Sequence, residues 1–170
     1  RIESESKTVR RIYDDLTYLN RNHRYHRRNE EIDVSRIVEE RAVFFSSMAQ
    51  AKGLDLRLDI ERGIVLKMDR NDLMRLVDNL FSNAIKYNKP KGVLHAELTK
   101  EYFRITDEGI GIKEEEIENI LHRFKRANDS EGGFGIGLDI VAQVVKDYGF
   151  VLSIKSKIHQ GTQVEVRWEK

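Results

Sequence analysis

Three short stretches carry the residue types that could do chemistry in this chain: Asn79 to Asn88 (NLFSNAIKYN), Asp107 to Ile112 (DEGIGI) and Gly132 to Leu138 (GGFGIGL). Asn79 and Asn83 stand four apart, so on a helix both carboxamides can point into one cleft, with Lys86 and Tyr87 one turn further along. A neutral carboxamide oxygen suits Mg²⁺, which takes oxygen ligands, keeps several waters and often binds only one or two protein groups besides phosphates. The competing reading is a pair of capping or surface asparagines. Asparagine is a poor interior helix former, however, and two at this spacing need a reason.

Asp107 closes a strand-like run, and Gly109 and Gly111 after it would let backbone approach a flat ligand where a Cβ would collide. Its carboxylate can accept an exocyclic amine such as that of adenine, with Ile110 and Ile112 packing beside the ring. An ordinary Asp-Gly turn is the alternative. Gly132, Gly133, Gly135 and Gly137 precede the apolar helix Leu138 to Val145, so a flexible loop delivers backbone N–H groups to a helix N-terminus, where phosphates bind well. No Gly-Lys-Ser or Gly-Lys-Thr follows, which excludes a Walker A loop, and no strand precedes it as in a dinucleotide fingerprint. Each stretch is weak alone. Metal ligand, base acceptor and phosphate loop together, between residues 79 and 138, read as one nucleotide pocket.

The elements that must position these groups are legible from apolar spacing. On the helix Asp72 to Tyr87, Leu73, Leu76, Val77, Leu80 and Ala84 share one arc, and Asn79, Asn83 and Lys86 flank it. Val34, Ile37, Val38, Ala42, Phe45, Met48 and Ala49 predict an earlier helix, started by Asp33 or Ser35 and stopped at Gly53. Leu54 to Ile60 alternates as a strand, with Ile64 to Met68 as its expected hairpin partner. Val93–Thr99 with Tyr102–Thr106, and Phe150–Ser156 with Gln163–Trp168, predict two further pairs. Helices are expected from Glu114 to about His122 and from about Ile136 to Tyr148, the latter closed by Gly149. Ahead of all this, Ile2, Val9, Ile12, Leu16 and Leu19 recur at helical spacing from Arg1 to Arg28, a helix that needs a partner and begins without a cap. The charged stretch His23 to Glu31 is the expected hinge.

Bulk composition narrows the classes. The 170 residues suit one domain with a small helical attachment. With 30 Lys and Arg against 29 Asp and Glu, the net charge of +1 gives no global field for nucleic acid, which is not an expected partner. There is no cysteine, hence no disulfide, thiolate catalysis or Cys-based zinc site. No apolar run nears the length of a membrane helix, and a cytoplasmic location is expected.

In this order, the blocks resemble the nucleotide-binding boxes of the GHKL ATPase superfamily, and most closely the catalytic ATP-binding domain of sensor histidine kinases. The likeness covers roughly Ile32 to Trp168. Asp15 to Arg21 (DLTYLNR) is similar to the end of the second dimerisation helix of that family. The resemblance implies an α+β chain: residues 1–30 as the last part of a dimerisation hairpin, and 31–170 as a two-layer, Bergerat-type sandwich whose mixed, mostly antiparallel sheet is covered by helices on one face. It implies ATP and Mg²⁺ as cofactors, Asn83 as metal ligand, and Asn79, Lys86 and Tyr87 around the phosphates. Asp107 would bind the adenine amine, with Gly109, Gly111 and Ile112 about the base. Phe124 would precede the lid, Arg126 would contact phosphate, and Gly133, Gly135, Ile136, Gly137 and Leu138 would form the lid and the helix start. Asn79, Lys86 and Arg126 are the residues implied to assist transfer.

Its partners by resemblance are a histidine-bearing dimerisation domain and a response regulator, in a membrane-anchored homodimeric parent, with this fragment a monomer or dimer. None of His23, His26, His95, His122 or His159 sits in a His-Glu-x-x-x-Pro setting, so the acceptor is expected outside this chain. Glu108 stands where Asn is common, Lys125 where an aromatic is common, and Lys125 to Glu131 is short for a lid. Superfamily members that hydrolyse ATP resemble one another in a Glu four residues before the metal-binding Asn. Here Asn79 occupies that place, and an amide cannot act as a base, whereas a neutral imidazole attacks with its own lone pair. A non-catalytic nucleotide-sensing module and a dimerising ATPase are the competing readings.

Overall fold

A computed structural model describes residue 13, residues 27–125 and residues 135–169. The expected N-terminal helix therefore lies outside the described residues apart from Tyr13, which is helical, and Arg27 and Arg28, which are in neither helix nor strand. Of the expected hinge, the described part is tied down. The Arg27 guanidinium bonds Asp72 at 3.2 Å and also Asp147, and the Arg28 N–H donates to Asp69 at 2.9 Å. Strand β1 (Glu30–Asp33) follows at once. It was not expected, because it is four residues long with only Ile32 buried, too short to show alternation.

Helix α1 (Val34–Ala51) starts where the Asp33 carboxylate accepts the Arg36 N–H at 3.1 Å, which settles the choice of cap. Ser35 is buried, and its hydroxyl donates to the Glu61 carbonyl at 2.6 Å while accepting the Ile64 N–H at 3.0 Å. That bond shapes the turn between β2 (Asp55–Ile60) and β3 (Val65–Met68), and it corrects the expected hairpin. β3 pairs antiparallel with β1 through Ile32 opposite Leu66, whereas β2 runs parallel to β4 (Val93–Leu98), with Leu56 opposite Leu94. Met48, expected on the buried face of α1, is 46% exposed; Val34, Ile37, Val38, Ala42, Phe45 and Ala49 are buried as expected.

The main sheet has the order β2-β4-β5-β7-β6, where β5 is Tyr102–Asp107, β6 Val151–Lys157 and β7 Gly161–Arg167. One pairing is parallel and three are antiparallel, the mixed sheet expected. Alternation divides its faces. Leu94, Ala96, Leu98, Phe103, Ile105, Val164 and Val166 are buried toward the helices α1, α2 (Arg70–Lys86) and α4 (Gly135–Tyr148). Aromatic rings carry the core from α1 through α2 to β5: Phe45 stacks on Phe81 at 5.8 Å, and Phe81 meets Phe103 at a tilt, 6.2 Å away. The opposite face is a charged ladder, with Arg104 bonding Glu165 at 2.9 Å and Glu97 at 3.4 Å, and His95 on Asp59 at 2.5 Å. A face this polar seats no second helix layer, so the sandwich stops at two.

Both ends of α2 are fixed. Asp69 caps its start, accepting Asn71 N–H at 2.8 Å, and the Tyr148 hydroxyl donates to fully buried Asp72 at 2.5 Å. At its end the Lys52 ammonium donates to the Ile85 and Lys86 carbonyls at 2.8 and 3.0 Å, satisfying acceptors the helix itself cannot. Helix α3 (Glu114–Lys125) completes the set, and Gly149 at φ 69° stops α4 as expected.

Candidate functional site

A cavity opens between α2, the end of β5, the start of α4 and β7. Leu80, Asn83, Ala84 and Tyr87 form the α2 wall, and Ile105 and Asp107 come from β5. Ile110, Gly111 and Ile112 belong to the loop after β5, Leu138 to the first turn of α4, and Thr162 and Val164 to β7. Most of this lining is aliphatic, so the polar atoms within it stand out.

Asp107 is the main one. It is 8% exposed, and its Oδ1 accepts the Gly109 N–H at 2.8 Å. Burial pushes its carboxyl above the ordinary value, opposed by the backbone N–H groups of Gly109 and Thr162 and by the charge of Lys52. An acceptor at the floor of an apolar slot is suited to a flat ring carrying an amine.

The loop that follows is held by backbone. The Ile110 N–H donates to the Tyr87 carbonyl at 3.2 Å, the His159 N–H to the Ile110 carbonyl at 2.8 Å, and the Ile112 N–H to the Ser156 hydroxyl at 2.8 Å. A Cβ on Gly109 would lie 1.9 Å from the Tyr87 carbonyl oxygen, and one on Gly111 2.1 Å from that of Lys157. These glycines are required by close packing against the α2 end and the β6–β7 turn.

The structure brings together Asn83, Tyr87, Asp107, Ile110, Gly111, Ile112 and Leu138 of the residues expected at the site, with Gly109 packed behind them. Asn79 differs from expectation. It is 4% exposed and absent from the cavity wall, and its amide donates back along the helix to the Arg75 carbonyl at 2.6 Å. Lys86 is exposed, its ammonium 5.2 Å from the centre of the Tyr87 ring. Gly135, Ile136 and Gly137, expected as loop and helix start, are the first three residues of α4. Because Leu138 lines the cavity, this first turn, whose N–H groups have no partner within the helix itself, sits at the cavity edge. Phe124 is helical in α3, but its side chain lies outside the described residues, as do Arg126 and Gly133 altogether.

Glu108 turns away from the cavity, accepting the Val93 N–H at 2.7 Å. Leu80, Ala84, Ile105, Thr162 and Val164 line the cavity without having been singled out. The first three read as core by their spacing; Thr162 and Val164 reach the site through the β5–β7 register, which sets Asp107 opposite Thr162.

Among the described residues no group of three or more His, Cys, Asp or Glu side chains could hold a metal ion. One carboxamide on the wall, Asn83, fits a cation that arrives with a ligand supplying most of the oxygen atoms, as Mg²⁺ on a polyphosphate does.

Residues 68–170 match the family described as histidine kinase-, DNA gyrase B- and HSP90-like ATPase. Among curated proteins, the chain is similar to sensor histidine kinase YkoH of Bacillus subtilis, 29% identical over 99% of this chain and 38% of the relative. It is likewise similar to sensor protein GtcS of Aneurinibacillus migulanus, 33% identical over 88% of this chain and 39% of the relative. The chain thus spans less than two fifths of the length of these curated relatives. Among solved structures it is similar in fold to the Acinetobacter baumannii histidine kinase AdeS, with a TM-score of 0.73 and 20% identity over 96% of this chain and 79% of that one. The cytoplasmic segment of histidine kinase QseC gives 0.67 and 21%, over 95% and 93%.

Proposed function

Since the chain belongs to the histidine kinase-, DNA gyrase B- and HSP90-like ATPase family, we propose that it is the ATP-binding catalytic part of a two-component sensor histidine kinase. In this reading it passes the γ-phosphoryl of Mg·ATP to a histidine on the parent's dimerisation domain, for relay to a response regulator. In the same reading the residues ahead of β1 belong to that dimerisation domain, and the piece works on the cytoplasmic side of a membrane-anchored, homodimeric parent. Among the described residues no helix is long and apolar enough to cross a membrane. The observation that carries the proposal is the placement of Asp107 beneath an apolar slot, with Asn83 on one wall and the first turn of α4 at its edge.

Adenine enters the slot between the aliphatic walls and donates its amine to Asp107, which directs the phosphates toward Asn83, Lys86 and the first turn of α4. Asn83 would hold the Mg²⁺, which when bound neutralises part of the triphosphate charge. The γ-phosphorus then leaves the bridging oxygen of ADP and bonds to an imidazole nitrogen that already carries its lone pair. No base is needed for that attack, and Asn79, a carboxamide whose NH₂ donates to the Arg75 carbonyl, supplies none. The chain's task is positioning and charge stabilisation.

The test mixes this chain with a separately made histidine-bearing hairpin of the parent and labelled Mg·ATP. Acid-labile, base-stable phosphate on the hairpin is expected. Nucleotide binding without transfer to a folded hairpin would favour a nucleotide-sensing module, and steady-state hydrolysis lost on Asn79→Ala would favour a dimerising ATPase.

Asp107→Asn separates binding from folding. Whichever way the new carboxamide turns, its NH₂ meets either the Gly109 N–H or the adenine amine, donor against donor. Losing a hydrogen bond to a charged acceptor costs about 1.5–3 kcal/mol, or roughly 10- to 150-fold in Kd. Stability moves the other way. A raised folded-state pKa means that the stability gained by protonation is full below the unfolded value and lost as pH rises through the folded one. The nucleotide-free variant is therefore at least as stable as wild type at neutral pH. Wild-type affinity for ATP should fall on acidification from above the usual aspartate range, and the variant's should lack that component. Calorimetric titration across pH checks both. Equal affinities at neutral pH would remove Asp107 from base recognition.

A further inference from the structure

Three hydrogen bonds join the residues flanking the base-binding loop into a closed ring. The buried Asn88 side chain donates to the Val93 carbonyl at 2.9 Å, and its oxygen accepts the Glu108 N–H at 3.2 Å. The Glu108 carboxylate returns to the Val93 N–H at 2.7 Å. Asn88 follows the last turn of α2, Val93 opens β4, and Glu108 separates Asp107 from Gly109. The ring thus ties both ends of the α2–β4 connection to the loop beneath the slot. Gly92 is fitted to it, since a Cβ there would fall 2.5 Å from the Asn88 carboxamide oxygen.

Resting on the nucleotide-binding reading above, we infer that Glu108 and Asn88 are positioning residues for base recognition: they hold the Asp107–Gly109 segment preformed and make no contact with nucleotide. Neither residue lines the cavity, and both side chains are engaged in the ring. Asp107 itself is held as the last residue of β5, opposite Leu94 and Thr162, and the loop begins immediately after it. Its neighbour on the chain is pinned to the start of β4, and the Ile110 N–H is pinned to Tyr87. If Glu108 releases Val93, the loop keeps its other bonds but gains freedom at the position next to the amine acceptor. Preorganisation of that kind acts on affinity by removing an ordering cost from binding. It acts on whatever carries the base, irrespective of phosphate number.

The experiment compares wild type, Glu108→Ala and Glu108→Gln in the intact 170-residue chain, titrating each with ATP, ADP and adenosine by amide chemical shifts and recording amide exchange at Ile110 without nucleotide. Glu108→Ala is expected to weaken all three ligands by one common factor of about two to ten, and to speed exchange at Ile110. Glu108→Gln keeps an oxygen that accepts from Val93 and should retain wild-type values in both readouts. A merely structural residue would lower the melting temperature without moving the Kd of the folded chain. Unchanged affinity in Glu108→Ala, or a loss confined to ATP that spares adenosine, overturns the inference. A wild-type chain that binds none of the three would defeat the nucleotide reading. The ring is then judged on exchange at Ile110 alone, and the absence of acceleration in Glu108→Ala overturns it.

Discussion

Gly109→Ala is expected to abolish detectable nucleotide binding and to lower the melting temperature of the nucleotide-free chain. The new Cβ would lie 1.9 Å from the Tyr87 carbonyl oxygen, 2.6 Å from its carbon and 2.9 Å from the Asp107 carboxylate. Two of these atoms are backbone at the end of α2, so no side chain can swing aside, and the loop must lift. Lifting it breaks the Ile110–Tyr87 bond and the Gly109–Asp107 bond together. Overpacking of this sort costs about 1–3 kcal/mol or more, and the cost falls on the segment that floors the slot. Gly63→Ala is the comparison. Its Cβ would meet nothing within 4 Å, and only the positive φ of 76° opposes it, so it should cost some stability and leave binding unchanged. Calorimetry with ADP and thermal unfolding read both variants; wild-type affinity in Gly109→Ala would show that the loop does not form the base site.

Local pattern made much of this architecture legible. The arc of Leu73, Leu76, Val77, Leu80 and Ala84 on α2 and the alternation of β4 and β5 are short-range periodicities, and each survives folding because one face of each element is buried. Gly53 and Gly149 mark helix ends because both take positive φ, at 72° and 69°. What escaped was pairing at long range. Adjacency in sequence predicts β3 as the partner of β2, yet its partner is β4, and the groups that hold the chain there are the Ser35 hydroxyl, which donates to the Glu61 carbonyl after β2, and the Glu61 N–H, which donates to Leu98 at 3.0 Å. No window of a few residues contains both.

The site follows the same division. Asp107, Asn83 and the glycines announce themselves by type, because carboxylates, carboxamides and bare backbone are uncommon in apolar surroundings. Thr162 and Val164 are supplied by the β5–β7 register and look like ordinary strand residues in sequence. Asn79 shows the limit of a helical wheel. Spacing placed it beside Asn83, but the wheel could not tell that its amide would bond the Arg75 carbonyl instead of opening to the cavity.

Asn83→Ala should spare the base and lose the metal, where Asp107→Asn loses the base. Asn83 lies on the exposed side of the buried arc of α2, and alanine is the better helix former by roughly 0.5–0.7 kcal/mol, so the fold is retained or slightly stabilised. Adenosine affinity should be unchanged, because Asp107 and the apolar walls are intact. The strengthening of ATP binding by Mg²⁺ should vanish, and transfer to the histidine-bearing hairpin should fall by at least about 100-fold, the scale of losing one preorganised group at developing charge. Parallel titrations of ATP with and without Mg²⁺, beside an adenosine control, measure this. Loss of adenosine binding would mean that the substitution disturbs the slot itself. Mg²⁺ dependence that survives in the variant would remove the carboxamide from the metal's coordination.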